Sequence, residues 1–154
     1  MPWGLGGARK FKFEHLSVEH GLSQCSAWAI CQDRRGFLWV GTADGLNRYD
    51  GYGFTLYRHD PSDSTSLSHN GVSDIIEDHL GRLWIGTGDG LSLFDRRRGK
   101  FIRFKHQPHN PQSLSDNDIN DICEDDRGML WIATHRGLTS FDPATNKWRR
   151  YLHD

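Results

Sequence analysis

Histidine and carboxamide side chains recur at matched places along this chain, and the chemistry they suggest first is hydrogen-bonded recognition of a polar ligand. His59 and His106 lie 47 residues apart, and Asn70 and Asn117 repeat that interval. Asp44 and Asp89 each precede a glycine, whereas the third corresponding position reads His135-Arg136. A bulky cationic pair that replaces turn chemistry marks a contact surface. Each of these residues also has a structural reading. An imidazole can hydrogen-bond its own loop, an aspartate before glycine forms a turn, and an asparagine can cap a strand as readily as offer its amide to a sugar. The candidate ligand-binding set is therefore His59, Asn70, Asp89, His106, Asn117, His135 and Arg136.

Other chemistries fail on spacing. Nine histidines invite a metal reading, but no His-Glu-x-x-His or Cys-x-x-Cys is present. The run Asp116-Asn117-Asp118-Ile119-Asn120-Asp121 offers oxygens at calcium-loop intervals. An EF-hand, however, needs Gly at its sixth position and Glu at its twelfth, and these are Asp121 and Arg127. In His106-Gln107-Pro108-His109 a proline separates the two imidazoles, a poor arrangement for a metal. There is no Gly-x-Ser-x-Gly elbow and no P-loop. No catalytic residue, metal or cofactor is expected. Cys31 and Cys123 occupy matching positions, with Ile76 between them in the middle unit, and read as buried small hydrophobes.

Composition narrows the function classes. Charged residues make up 25% and aromatics 12%, as in globular chains rather than disordered ones. With a net charge of −1 and no Lys/Arg block beside aromatics, a nucleic-acid partner is not expected. Arg96-Arg97-Arg98 reads as a solvated turn tip. No apolar run reaches the length of a membrane span. The opening ten residues lack the basic and apolar regions of an export signal, which leaves the cytoplasm open as a location.

The elements that must carry these residues are set by a repeat. Gly36-Phe37-Leu38-Trp39-Val40-Gly41-Thr42 recurs as Gly81 to Thr87 and as Gly128 to Thr134, with 45 and then 47 residues between the tryptophans. A period of 40 to 50 with several short strands per unit predicts β-propeller blades. Four strands recur per unit: 27–33, the tryptophan strand, the run after Gly45, and 54–57 in the first, with counterparts in the others. Asp33, Asp78 and Asp125 open hairpin turns closed by Gly. The two-residue excess of the longer interval falls between Asp95 and Phe101. Strands such as Leu83-Trp84-Ile85 are apolar on both faces, as expected when a sheet is covered on both sides, so the tryptophans read as packing between blades. Lys10 to Phe13 reads as the outer strand of a preceding blade.

The expected fold is thus all-β: about three four-stranded blades at roughly 22–58, 67–105 and 114–152, a leading strand at 10–13, and a tail over 1–9. Propellers have four to eight blades, so three make an incomplete ring with an apolar face open at each end. Self-association or further blades are the expected partners. Alternating turns place the links into the third strands, and the long loops 59–71 and 106–118, on one rim. Binding residues concentrate on variable loops held by a rigid scaffold, so the candidate set belongs there.

The three tryptophan motifs, with Gly21-Leu22-Ser23-Gln24, the run Asp44-Gly45-Leu46-Asn47-Arg48-Tyr49-Asp50-Gly51 and Arg58-His59-Asp60-Pro61, resemble the two-component regulator propeller repeat family over about 11–154. The resemblance implies a propeller from the periplasmic sensor half of hybrid histidine kinases and some diguanylate cyclases. In that family two seven-bladed propellers precede a membrane span and signalling modules, and many members are associated with oligosaccharides. This chain has neither span nor signalling motif, so the resemblance implies a non-catalytic sensory or ligand-binding role, a periplasmic location and an oligosaccharide ligand. It is strongest for an N-terminal slice of such a sensor. Two other classes remain: a streptogramin-lyase-like enzyme using His59, His106 and His135, and a purely structural assembly module.

Overall fold

Aspartate-opened turns cut the chain into short strands. The computed structural model describes residues 12–152. Its twelve strands are β1 (Ala27–Gln32), β2 (Leu38–Thr42), β3 (Gly45–Tyr49), β4 (Phe54–Tyr57), β5 (Val72–Glu77), β6 (Leu83–Thr87), β7 (Gly90–Asp95), β8 (Lys100–Phe104), β9 (Ile119–Glu124), β10 (Leu130–Thr134), β11 (Gly137–Asp142) and β12 (Lys147–Tyr151). They form three four-stranded antiparallel meanders, β1 to β4, β5 to β8 and β9 to β12. Each meander is a blade, and the three do not close a ring among the described residues.

The first turn of each blade shows why aspartate sits there. Asp33 Oδ1 accepts the N–H groups of Arg35 and Phe37, both at 3.0 Å, and Oδ2 accepts the indole N–H of Trp39 at 2.8 Å. Asp78 and Asp125 repeat this with Trp84 and Trp131, both at 2.9 Å. One carboxylate closes the hairpin and satisfies an indole that packing takes out of water.

Two apolar clusters hold the three blades together. Trp39 and Tyr57 of the first blade pack on Phe94 of the second, with ring centroids 5.1 and 5.2 Å apart. Trp84 and Phe104 pack likewise on Phe141 of the third, at 5.8 and 5.7 Å. Trp39 and Trp84 are fully buried, so packing between blades is their role. At about 25 cal/mol per Å2, each is worth several kcal/mol to its joint.

Polar hooks cross the joints on the rim that holds the first turns. Glu77 accepts the Arg34 N–H at 2.8 Å, and Glu124 accepts the His79 N–H at 2.8 Å. The first joint has a further bridge. Arg96, in the longer turn between β7 and β8, reaches Asp33 at 2.7 Å and Glu77 at 2.9 Å. The arginine run is thus not wholly a solvated tip: Arg97 and Arg98 are exposed, but Arg96 ties two blades together.

Two further expectations change. Lys10 and Phe11 lie outside the described residues, while Lys12 and Phe13 belong to no strand. Cys123 is exposed and Cys31 half-buried. Cys31 packs against the cluster between the first two blades, whereas Cys123 faces the side of the third blade that no described residue covers. Among the described residues no helix is long and apolar enough to cross a membrane.

Candidate functional site

Strand β5 contacts β1 of the blade before it and β9 of the blade after it, so each blade's first strand lies innermost. The linkers 58–71 and 105–118 run from an outer strand back to the next inner strand, crossing one rim beside the turns that join each blade's second and third strands.

Each linker is fixed to the blade it enters by a buried trio of side chains. Ser68 Oγ pairs with Thr87 Oγ1 at 2.8 Å and Ser92 Oγ at 2.9 Å. Ser115 makes the same pair of contacts with Thr134 and Thr139, both at 2.9 Å. In the first blade Ser23 meets Thr42 and Asn47, both at 2.8 Å. The residue after each serine differs between blades: Gln24, His69 and Asp116. A constant fixing below the rim thus presents a varied side chain on it. Sequence reasoning missed this triple. Its signal was a repeated Leu-Ser dipeptide followed by a residue that changes.

These three blades are two-component regulator propeller repeats. The family's pattern matches residues 21–44, 66–89 and 113–136, and each match spans one linker serine, its threonine partner and the tryptophan strand. Histidine kinase P4 of Formosa agariphila is 53% identical over 58 residues, which are 38% of this chain and 4% of that protein. The extracellular domain assigned to a hybrid two component system, BT3049, of B. thetaiotaomicron superposes with a TM-score of 0.83 at 34% identity, over 90% of this chain and 20% of that one. The chain therefore spans a small part of either relative. Virginiamycin B lyase of Staphylococcus aureus shares the fold alone, at 15% identity and a TM-score of 0.57 over 82% of this chain and 41% of that one.

The regulator-propeller linkers use the candidate residues in a repeated way. Asn70 Oδ1 accepts the His59 N–H at 2.7 Å, and Asn117 Oδ1 accepts the His106 N–H at 2.7 Å. The imidazole Nδ1 atoms meet the carbonyls of Leu67 and Leu114 at 2.8 and 2.7 Å. A carbonyl only accepts, so each Nδ1 carries the proton and each Nε2 is left as an acceptor. The Asn70 and Asn117 carbonyls take the N–H groups of Gly45 and Gly90 on the preceding blades, both at 2.7 Å. Neither carboxamide NH2 has a partner among the described residues. The oxygen side of each asparagine thus serves the loop, and the nitrogen side is unclaimed.

The remaining candidates lie beside them. Asp89 pairs with Lys105 at 2.5 Å, as Asp44 pairs with Arg58 at 2.6 Å. The His135 N–H donates to the Asp118 carbonyl at 2.9 Å, and Arg136 approaches Asp116 at 3.5 Å while staying 80% exposed. The structure joins His59 with Asn70 in one linker, and gathers Asp89, His106, Asn117, His135 and Arg136 around the other. The seven do not converge on one point. His69, which the sequence did not single out, accepts the Gly71 N–H on Nδ1 at 2.9 Å, leaving Nε2–H to donate from an exposed ring. The half-exposed indole of Trp28 lies close to Gly71.

The first linker carries fixed charge. The ammonium of Lys100, with the Thr65 hydroxyl and N–H, holds Asp63 well below the usual carboxylate range. The Ser62 hydroxyl and N–H lower Asp60. Among the described residues, no group of three or more His, Cys, Asp or Glu side chains is placed to hold a metal ion.

Proposed function

We propose that this chain is a non-catalytic sensory segment of a two-component-type receptor, exposed outside the cytoplasmic membrane, and that its linker rim binds an oligosaccharide. The observation that carries this reading is the contrast at the serine fixings: three equivalent serine-centred trios present Gln24, His69 and Asp116 on one rim. A constant anchor with a varied display suits recognition. The available groups suit a sugar. Unclaimed amide N–H groups and imidazole edges match hydroxyls that both donate and accept, and an indole such as Trp28 can cover a pyranose C–H face. The kinship with a histidine kinase and with an extracellular sensor domain supports the location and role.

The non-catalytic reading rests on the histidines. His59 and His106 spend Nδ1 on backbone carbonyls, and among the described residues no carboxylate is hydrogen-bonded to either ring to raise its basicity.

An oligosaccharide panel, screened by glycan array and thermal shift on the 154-residue chain, tests the proposal. A sugar at about 100 times its Kd should add about 2.7 kcal/mol of stability. His69→Ala and His135→Ala, both at exposed positions, should leave the unliganded Tm unchanged and abolish the shift. A panel without binders, or variants that bind as the parent does, would overturn the reading.

A further inference from the structure

The two joints end differently on the rim of hairpin turns, opposite the linkers. At the first joint two arginines occupy that end. Arg48 of β3 lies over the Phe37 ring at 4.9 Å and the Trp39 ring at 5.9 Å, and its guanidinium donates to Thr55 Oγ1 at 3.4 Å. Arg96 comes across from the second blade to Asp33. The chain itself thus supplies two aromatic rings, a guanidinium held on them and a second guanidinium across the joint.

The second joint has neither arginine. Register places Leu93 beside Trp84 as Arg48 is beside Trp39, and Ile102 where the first blade has Thr55. Pro143 follows Asp142 as Arg96 follows Asp95, and a proline ring has no group to reach across. Arg82 stands in the place of Phe37, two residues before the tryptophan. Its guanidinium lies over Trp84 at 5.7 Å and its Nε pairs with Asp78 at 2.5 Å. These exchanges leave a concavity of about 270 Å3, lined by Gly81, Arg82, Leu93, Asp95, Arg97 and Ile102 among others. Leu93 packs against the cluster of the second joint, so the concavity belongs to a joint whose two blades are both described.

The lining combines an aliphatic floor with a cationic margin. Leu93 is half-buried and Ile102 is 52% exposed, although the third blade is in place. Arg97 is exposed, and among the described residues no carboxylate lies within ion-pair reach of it. Asp95, the carboxylate on the lining, is turned to its own hairpin. It accepts the N–H groups of Arg97 and Arg98 at 2.9 and 3.3 Å and meets the Arg98 guanidinium at 3.8 Å. Arg48 has two aromatic neighbours, whereas Arg82 has one.

We infer that this concavity binds a small aromatic carboxylate, its ring laid on Leu93 and Ile102 against the Arg82 guanidinium and its carboxylate paired with Arg97. The ring takes Ile102 out of water and gives Arg82 the second aromatic neighbour that Arg48 already has. The carboxylate meets a cation that no side chain of the chain neutralises. The site lies on the rim away from Trp28 and His69, so its occupancy is independent of any sugar on the linkers.

Titration of the 154-residue chain with phenylacetate, followed through its N–H shifts by NMR, tests the inference. Saturable binding with a Kd of about a millimolar is expected, with the shifts centred on Arg97, Ile102 and the Trp84 indole. Phenylacetamide keeps the ring without the charge and should bind about fivefold more weakly. Acetate keeps the charge without the ring and should not saturate. Arg97→Ala should cost phenylacetate the same factor of about five while leaving phenylacetamide unaffected. Ile102→Glu should abolish binding by setting a like charge on the floor. Both replaced side chains are exposed, and circular dichroism confirms that each variant is folded. Absence of saturation, shifts centred elsewhere, an amide that binds as the acid does, or variants that bind as the parent does would each overturn the inference.

Discussion

Ile75 and Ile30 hold the same place in successive blades, yet Ile75 is 3% exposed and Ile30 68%. Ala27 and Val72 differ in the same sense, as do Leu138 and Leu91. Local sequence cannot explain this, because the strands and registers repeat. What changes is whether another blade stands opposite. A blade supplies half of each joint, and its apolar side chains contribute stability only where the other half is present.

The largest test of that contrast uses the tryptophans. Trp84→Ala, in the second joint, should cost about 3–5 kcal/mol in urea unfolding. Trp131→Ala, in the third blade, whose face no described residue covers, should cost under about 1 kcal/mol. Equal costs would mean that burial in the joint is not what the tryptophans contribute.

Glycine gives a finer comparison. Gly86→Ala pushes a methyl against Ile119 and Ile122, and should destabilise by about 1–3 kcal/mol. Ala133→Gly, at the same position on the uncovered face, should change monomer stability by no more than about 1 kcal/mol, the glycine backbone effect. If Gly86→Ala were neutral, the close approach of Ile119 would not be a constraint.

The smallest effect separates the two joints. Burial pushes Asp33 up, but the Trp39 indole, Arg96 and the Phe37 N–H outweigh it and lower the carboxyl. A carboxyl lowered in the folded state contributes stability that is complete above its ordinary value of 3.8 and lost as pH falls through the lower folded one. Arg96→Ala should therefore flatten the acid limb of a Tm profile below about pH 4, besides a small loss at neutral pH. An unchanged acid limb would show that Arg96 does not hold Asp33 down.

Much of this architecture was legible because it is periodic. Trp39, Trp84 and Trp131, each followed by a β-branched residue, announced the second strands, and Asp33, Asp78 and Asp125 announced the turns. What was not legible joins residues far apart. Ser68 to Ser92 spans 24 positions and Arg34 to Glu77 spans 43, and no local pattern marks either. Arg96 looked like a solvated tip because its partners belong to another blade and to an earlier strand of its own. Cys123 looked buried because the repeat gives its position but not what stands opposite. At the rim, His59 and Asn70 were read as alternatives between loop and ligand. The structure divides that choice within each side chain, using one edge for the loop and leaving the other unclaimed. His69 escaped notice because only the neighbouring Ser68 recurs.

The serine fixings also show where one unit ends. Ser68 is held by Thr87 and Ser92, and Arg103 of β8 grips the same linker through the carbonyls of Asp63 and Ser66 at 2.8 Å. Each sheet therefore clasps the segment that leads into it through several side chains, and holds the one that leaves by fewer bonds, such as Gly45 N–H to the Asn70 carbonyl. A piece excised as 59–105 would keep its clasp, whereas one cut as 72–118 would carry away a neighbour's strap and lose its own. During synthesis each strap must wait about two dozen residues for its anchor, so a half-made blade has a loose lead and the completed one before it does not.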